Sequence, residues 1–371
     1  MLVIKITGVV AASALLFAGS AIADGRQDYY SQISQLSYFS TPENARTIGM
    51  AGSSVATSSD SSSVVGNPAG LGFMKDADIS VTYSRNNISG NDADTFAGIN
   101  AEIDGGQALA ALPIFPTLDG TPKYGTFGFG WAGFKSNTND SYNTELNHYS
   151  LNLAYGKDIS DQFALGYSFA YNQNKTTLFN PKVTATDNFT SKLDNGVRQE
   201  IGAQYNASKS TKFGISTHYG FGRFDTNDYN GDYLDEANIG NWGINLGVGH
   251  TIGATLITAS LDHNSYYGDN DYFESTMTLR PDFYASSFRT GLEQTVTNYL
   301  KARLGYRYTA ITNADLGYGN NNSKYNAVSF GVGAQLSKSL VIDYGAEYRE
   351  SGDGDWLHTV TLSVPFSLCN N

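Results

Sequence analysis

Apolar and polar residues alternate with a period of two along most of this chain, from about residue 77 to its C-terminal end. In the stretch 163–171, bulky apolar residues stand at the odd positions and small or polar residues stand between them. Clusters of Asn, Asp, Gly and Ser interrupt the pattern at fairly even spacing, as turns do. Because successive side chains of a β-strand point to opposite faces, the pattern predicts antiparallel strands with one apolar face. It recurs at 213–221, 242–249, 300–308 and 340–348.

The lengths of the connections distinguish a membrane barrel from a sandwich, in which strands also alternate. Outer-membrane barrels have short turns at one end and long loops at the other. Here short links are predicted at 158–161, 207–211, 252–253, 296–298 and 337–339. Long polar links are predicted between them, at 136–145, 173–196, 225–239, 265–283, 310–324 and 350–355. This alternation predicts an all-β fold, a transmembrane antiparallel β-barrel.

The barrel is predicted to contain about 14 strands, an even number as in other single-chain bacterial barrels. They are predicted at 78–88, 106–115, 124–135, 146–157, 161–173, 197–207, 211–224, 240–251, 254–264, 284–296, 299–310, 325–337, 339–350 and 356–368. Segment 93–103 is interpreted as a further strand, an extension of its neighbour or a loop, so the strand number is open by about two. The last strand, which ends near Phe366, resembles the C-terminal insertion signal of outer-membrane proteins.

Composition limits the partners of such a chain. Its 23 Lys and Arg against 35 Asp and Glu give a formal charge of −12, which repels nucleic acid. Only 16% of residues are charged, which is low for a water-soluble domain, and away from the N-terminus no apolar run reaches the ~18 residues of a membrane-spanning helix. We therefore expect outer-membrane lipid and lipopolysaccharide around the protein. With one cysteine, Cys369, an intrachain disulfide is excluded, and no cofactor or metal is predicted.

The N-terminal 23 residues have the features of an export signal. Lys5 precedes a mostly apolar run, and Ala21-Ile22-Ala23 provides a small-residue cleavage site before Asp24. The alternative, a short anchor helix, requires a longer apolar run. The signal peptide is therefore predicted at 1–23, and the mature protein is expected in the outer membrane of a Gram-negative-type bacterium.

Residues 41–75 interrupt the alternating pattern. They contain small residues that allow close packing of the backbone, and an Asn-Pro-Ala-Gly turn in which Pro fixes φ. Such a segment suits the inside of a pore, although any surface turn can carry the same motif. Its distinctive residues are Arg46, Gly49, Met50, Gly52, Asp60, Asn67, Pro68, Ala69, Gly70 and Leu71.

Placed directly before the first barrel strand, these residues resemble the N-terminal region of the long-chain fatty-acid transporter (FadL) superfamily, and most closely its PorV-like branch. The resemblance implies a 14-stranded barrel whose lumen is closed by an N-terminal hatch. It also implies passage of hydrophobic compounds in many members, and a role in protein secretion in some PorV-like ones. We accordingly divide the mature chain into an N-terminal segment with the hatch, 24–76, and the barrel, 77–371.

Catalytic motifs are not recognised, and no catalytic residue is predicted. The sequence has no Gly-x-Ser-x-Gly, and its five histidines stand singly in or beside strands. Asp269-Asn270-Asp271 and Asp353-Gly354-Asp355 resemble parts of calcium loops but lack the EF-hand spacing, so solvated or lipopolysaccharide-contacting loops are preferred. We expect no enzymatic activity.

A network of charged residues is predicted on the inner face of the C-terminal half. The short turn at 296–298 sets Glu293 opposite Arg303 and Arg289 opposite Arg307. The next strand offers only small residues and Gln335 inward, so charges beyond it can reach across. Polar filling of the lumen and a role in docking or gating the hatch both remain open. The network comprises Arg289, Glu293, Arg303, Arg307, Asp343, Glu347 and Arg349.

Arg46 is the only cation between residue 41 and Lys75. If it lies in the lumen, a carboxylate must compensate its charge, because an unpaired buried charge is costly. The alternative is a solvated position at the periplasmic mouth. Candidate partners are Asp60, Glu200, Glu293, Asp343 and Glu347.

Three functions follow from these features. The first is uptake of a hydrophobic small molecule, such as a long-chain fatty acid or hydrocarbon, through a barrel with a movable hatch. The second is a PorV-like barrel that transports nothing and serves as a structural or secretion-system partner. An open aqueous porin is disfavoured, because it needs no separate N-terminal plug.

Overall fold

The computed structural model describes residues 43–90, 99–114, 124–138, 143–179, 189–228, 233–268, 283–313, 323–350 and 355–368. Fourteen strands form one closed antiparallel barrel, in which each strand pairs with its sequence neighbours and β1 pairs with β14. Closure leaves no strand edge with unpaired backbone groups, as a lipid environment requires. The strands are β1 Ala77–Gly90, β2 Ile99–Pro113, β3 Thr126–Thr138, β4 Asn143–Ser160, β5 Phe163–Phe179, β6 Phe189–Asn206, β7 Thr211–Asp228, β8 Tyr233–Ile252, β9 Thr255–Gly268, β10 Phe283–Thr297, β11 Leu300–Asn313, β12 Ser323–Ser337, β13 Leu340–Arg349 and β14 Asp355–Phe366.

The outer face of the barrel carries the apolar side chains of the alternating pattern. Val81 of β1 is 55% exposed and Leu153 of β4 is 61% exposed, whereas their neighbours along each strand point into the lumen and are buried. So much exposed apolar surface is stable in lipid, not in water. A barrel of this kind is the architecture of an integral outer-membrane protein. Among the described residues, no helix is long and apolar enough to cross a membrane.

The predicted fold class is confirmed, and each predicted strand is present. Five of the predicted short links are tight turns of two to four residues between β4 and β5, β6 and β7, β8 and β9, β10 and β11, and β12 and β13. The β2–β3 connection, residues 114–125, for which no link was predicted, is longer than these five.

Several long links were predicted too long, because the strands continue into them. The predicted link 173–196 contains the ends of β5 and β6, and the link 225–239 contains those of β7 and β8. These extensions are polar on both faces, so hydropathy alternation does not reveal them. Residues 99–103 extend β2, whereas 93–98 lie outside the described residues, as do the signal peptide, 269–271 and Asp353.

The N-terminal segment, residues 43–76, forms three short helical pieces. These are an α-helix, α1, at Ala45–Gly49 and two 3₁₀ helices at Ser61–Val64 and Pro68–Phe73. An Asn or Asp side chain caps each N-terminus by accepting a backbone N–H, which satisfies a donor that the helix leaves free. The distances to these N–H groups are 2.8 Å from Asn44, 3.0 Å from Asp60 and 3.1 Å from Asn67.

Candidate gate in the barrel lumen

The N-terminal segment follows the inner wall around the lumen. Its α1 contacts β11 to β14, and its second 3₁₀ helix contacts β3 to β6. On ten strands an inward glycine abuts the segment, and a methyl group at these positions would overlap with it or crowd it. Because the backbone or short side chains of the segment pack directly on the glycines, the wall is shaped to hold this segment. The glycines are Gly128, Gly156, Gly166, Gly202, Gly214, Gly247, Gly291, Gly305, Gly331 and Gly345.

Asn67 joins two parts of the segment to the wall. Its side-chain nitrogen donates to the carbonyl oxygen of Val55 at 2.9 Å and contacts those of Ala203 and Ile215 at 3.2 and 3.3 Å. From β6, Gln204 donates to the same Val55 oxygen at 3.1 Å. These bonds satisfy the carbonyl oxygen of Val55, which lies outside regular secondary structure.

A buried apolar cluster holds the C-terminal part of the segment. Leu71 is fully buried and Val64 is 1% exposed, and both pack with residues of β2 and β4. Burial of one such side chain contributes roughly 1.5–3 kcal/mol. The cluster consists of Val64, Leu71, Met74, Leu109, Ala111 and Ala154.

Ion pairs add to the glycine packing that holds the N-terminal part. The Nε of Arg46 donates to Glu293 of β10 at 3.0 Å, and its Nη1 lies 3.7 Å from Asp60. Glu293 also accepts from Arg303 at 2.7 Å, and Arg303 donates to Asp343 at 2.6 Å. Burial opposes the charge of Arg46, but Glu293 and Asp60 outweigh it and raise the pKa of the guanidinium above its ordinary value.

A second charged group lies on the same wall, on the other side of α1. Arg289 of β10 donates to Glu43, just before α1, at 3.4 Å, and lies 3.3 Å from Asp262 of β9. Arg307 of β11 donates to Glu347 of β13. Arg349 donates to the same carboxylate at 2.8 Å. Arg289 and Arg307 face each other in the register, and these carboxylates compensate both charges.

Two cavities flank the segment. The upper cavity, of about 310 Å³, lies toward the long links and is lined by Asn44, Thr47 and Ile48 of the segment and by wall residues such as Tyr266 and Tyr325. The lower cavity, of about 400 Å³, lies at the short-turn end and is lined by Arg46, Asp60 and the β10–β11 turn. Among the described residues none lines both, so α1 and its neighbours separate them.

The predicted register across the β10–β11 turn is confirmed: Glu293 is opposite Arg303, and Arg289 is opposite Arg307. Of the five candidate partners of Arg46, two are in contact with it, Glu293 and Asp60. The others have their own partners: Asp343 pairs with Arg303, Glu347 with Arg307 and Arg349, and Glu200 with Arg198.

Sequence reasoning missed Glu43 and Asp262, which both contact Arg289. The alternation along β9 places Asp262 on the inward face, and this was the available signal for Asp262. However, the link between β9 and β10 is long, so no turn fixed the register of these two strands.

Comparison with known proteins finds the same architecture in solved structures. A FadL homologue from Pseudomonas aeruginosa is 13% identical over 90% of this chain and 100% of its own, with a TM-score of 0.62. The toluene transporter TbuX of Ralstonia pickettii is 13% identical over 89% and 99%, with a TM-score of 0.55. This chain has the fold of the FadL-type channels. The toluene transporter TodX of Pseudomonas putida is 12% identical over 88% and 99%, with a TM-score of 0.56.

No protein-family model matches the chain, and the search of curated proteins finds no match. At 12–13% identity the structural likeness establishes the fold alone. The fold of FadL-type channels is that of Gram-negative outer-membrane proteins, and the neighbours that share it are transport channels. The ligand must be argued from the lumen itself.

Proposed function

We propose that this protein is an outer-membrane channel for hydrophobic small molecules, in which residues 43–76 form the hatch. The observation that carries the proposal is the separation of the two cavities by a segment seated on the glycines of ten strands. A lumen interrupted in this way does not conduct freely. It passes a ligand only when part of the segment moves.

The movable part is α1 with the residues around it. This region has the two cavities on its two sides and is tied to β10 by ion pairs of opposite polarity, Arg46 with Glu293 and Glu43 with Arg289. Ala51, just after α1, has a φ of 54°, a left-handed conformation that costs a non-glycine residue about 1 kcal/mol or more. A strained residue next to an ionic contact is a suitable hinge.

The upper cavity favours ligands that combine an apolar body with a polar group. Apolar side chains such as Ile48, Phe134 and Leu357 line part of it. In the described part of the protein, several buried polar atoms of its lining have no hydrogen-bond partner, among them the donor Nε of Arg289 and of Arg307. Aromatic hydrocarbons fill the apolar part, whereas a fatty acid also offers a group for these atoms.

Transport can be tested with proteoliposomes that contain the purified mature barrel. We expect faster entry of radiolabelled toluene or oleate than into protein-free liposomes, with little conductance in planar bilayers. Comparison of the two compounds distinguishes an aromatic hydrocarbon channel from a fatty-acid channel. Entry of neither compound above the protein-free rate would contradict the proposal.

The same preparation tests the alternative function, a PorV-like secretion partner. That function predicts a stoichiometric copurifying protein and no small-molecule flux. Native mass spectrometry of the protein extracted from its own membrane separates a bound lipid or hydrocarbon from a bound protein. N-terminal sequencing of the same material should begin at Asp24, and retention of Met1 would contradict signal-peptide export.

A further inference from the structure

Three lysines lie close together on the outer face of β3 to β6. The strand registers set Lys135 opposite Asn147, Asn147 opposite Lys175, and Lys175 opposite Lys192. All three lysine side chains are exposed. They share their face with the lipid-facing apolar residues of the same strands, so they point away from the lumen.

This cluster lies just beyond an aromatic row at the long-link end. Trp131 and Tyr171 stand four residues before Lys135 and Lys175 on their strands, and Tyr149 stands two residues from Asn147 toward the short-turn end. Aromatic side chains mark the membrane interface, and long loops mark the outer side. A residue spacing of four along a tilted strand corresponds to about 10 Å toward the outside. The lysines are therefore at the headgroup level of the outer leaflet.

The cluster has an excess of positive charge. Lys175 and Lys192 are directly opposite each other, and like charges in that position are destabilising. Glu145 already compensates Lys135 at 3.0 Å. Asp225 stands opposite Lys192 in the register but accepts from Arg223 at 3.0 Å, so among the described residues neither Lys175 nor Lys192 forms an ion pair. The register places a further acidic residue, Asp194, opposite Arg223 as well. In a chain with a formal charge of −12, this local excess is notable.

We propose that Lys175 and Lys192, with Lys135 beside them, form a binding site for the phosphate of a lipid A-type glycolipid in the outer leaflet. The phosphate lies between Lys175 and Lys192 and compensates their repulsion. Tyr149 and Tyr171 lie beneath it, where their rings contact the sugar and the upper acyl chains. An anionic lipid fits better than a soluble anion, because the site is flat and faces the lipid, so only a ligand held by the membrane stays concentrated there.

A matched cation on the same outer face serves as the control. Arg85 of β1 stands two residues beyond Tyr83 and contacts Glu102 at 2.7 Å, so its charge is already compensated. Its loss removes one positive charge from the outer rim without changing the proposed site. The comparison therefore separates a site from a general charge effect.

The test is titration of the purified full barrel in a zwitterionic detergent with bisphosphorylated lipid A, with bound molecules counted by native mass spectrometry. We expect the double variant Lys175→Gln/Lys192→Gln to bind about 30-fold more weakly, since each lysine near an anionic lipid contributes about fivefold. Arg85→Gln should bind as the unchanged protein does. The double variant Lys175→Arg/Lys192→Arg should retain binding.

Four outcomes would overturn the proposal. They are equal binding by the Gln variant, equal weakening by Arg85→Gln, equal binding of lipid A without phosphates, and equal binding of phosphatidylglycerol, which would show a general preference for anionic lipids. Both lysines are exposed, so the barrel should fold in every variant. Heat-modifiable migration checks this, and loss of binding by a folded Arg variant would also count against the site.

Discussion

The two ends of the N-terminal segment are held in the lumen by different forces. Residues 61–74 are held by burial of Val64, Leu71 and Met74 against β2 and β4. Residues 43–53 pack on inward glycines of β10 to β13, but in addition they form ion pairs with β10 and have a left-handed residue, Ala51, near their C-terminal end. An apolar cluster loses its burial all at once, whereas an ion pair with water nearby exchanges partners at little cost. We infer that the first end anchors the hatch and the second end moves.

The largest expected effect is at the anchor. A side chain at Gly166 would overlap with the backbone of Pro68 and Ala69, which cannot move without leaving its seat. Gly166→Val should therefore displace the segment and raise single-channel conductance severalfold, with new protease cleavage within 43–76. The control is Gly243→Val, an inward glycine whose added Cβ meets only side chains, of His218 and Asn264. If both variants have equal conductance, packing of the segment on the inward glycines does not close the lumen.

Leu71→Ala should weaken the same anchor without a steric clash. Truncation of a buried leucine costs about 2–5 kcal/mol. This loss weakens docking of the segment, whereas the barrel stays folded. Hydrogen exchange of residues 61–74 should become faster by at least tenfold. Leu151→Ala, in which a lipid-facing side chain that is 56% exposed is truncated, should leave this exchange unchanged. Equal exchange in the two variants would contradict the anchoring role.

Arg46→Ala should have a smaller effect, because it releases only the movable end. Glu293 keeps Arg303 at 2.7 Å and Lys301 at 3.2 Å, so no unpaired buried carboxylate remains. We expect more frequent brief openings in planar bilayers and greater antibiotic sensitivity of cells, with normal assembly. Arg85→Ala removes an outward arginine and should change neither. If conductance and uptake of fatty acid both stay unchanged, Arg46 does not hold the hatch.

Ala51→Gly should have the smallest effect, in the opposite direction. Glycine adopts a φ of 54° without strain, so the closed state should gain about 1 kcal/mol. Openings should become rarer by a factor of a few. The control Ala56→Gly replaces another buried alanine of the segment. It should not make openings rarer, since Ala56 lacks a positive φ. If both variants change the frequency of openings equally, strain at Ala51 does not affect opening.

Hydropathy and turn spacing were sufficient to predict the barrel and part of the site. A two-residue turn fixes the register of the strands it joins, so the pairing of Glu293 with Arg303 followed from the sequence alone. Asp262 was not predicted to contact Arg289, because β9 and β10 are joined by a long link. The inward glycines were interpreted only as small residues, because their spacing does not show which part of the chain packs against them. The strand extensions were missed because polar residues predominate on both of their faces, so hydropathy does not alternate there.

The central claim, that the α1 end must move for transport, can be tested by a reversible crosslink. The backbone N–H of Ala45 donates to the Thr361 side chain of β14 at 2.9 Å, so these residues are neighbours in the closed state. The double variant Ala45→Cys/Thr361→Cys, with Cys369→Ser, should pin α1 to the wall when oxidised, as verified by mass spectrometry.

The deciding measurement is toluene entry into proteoliposomes with this variant before and after reduction. Val64→Cys/Gly128→Cys, in which the introduced Cβ at 128 would lie 3.5 Å from that of Val64, locks the anchored end and serves as the control. We predict that the oxidised α1 crosslink lowers entry to the rate of protein-free liposomes and that reduction restores it, while the control transports in both states. Entry at the unmodified rate through fully crosslinked Ala45→Cys/Thr361→Cys protein would contradict the account.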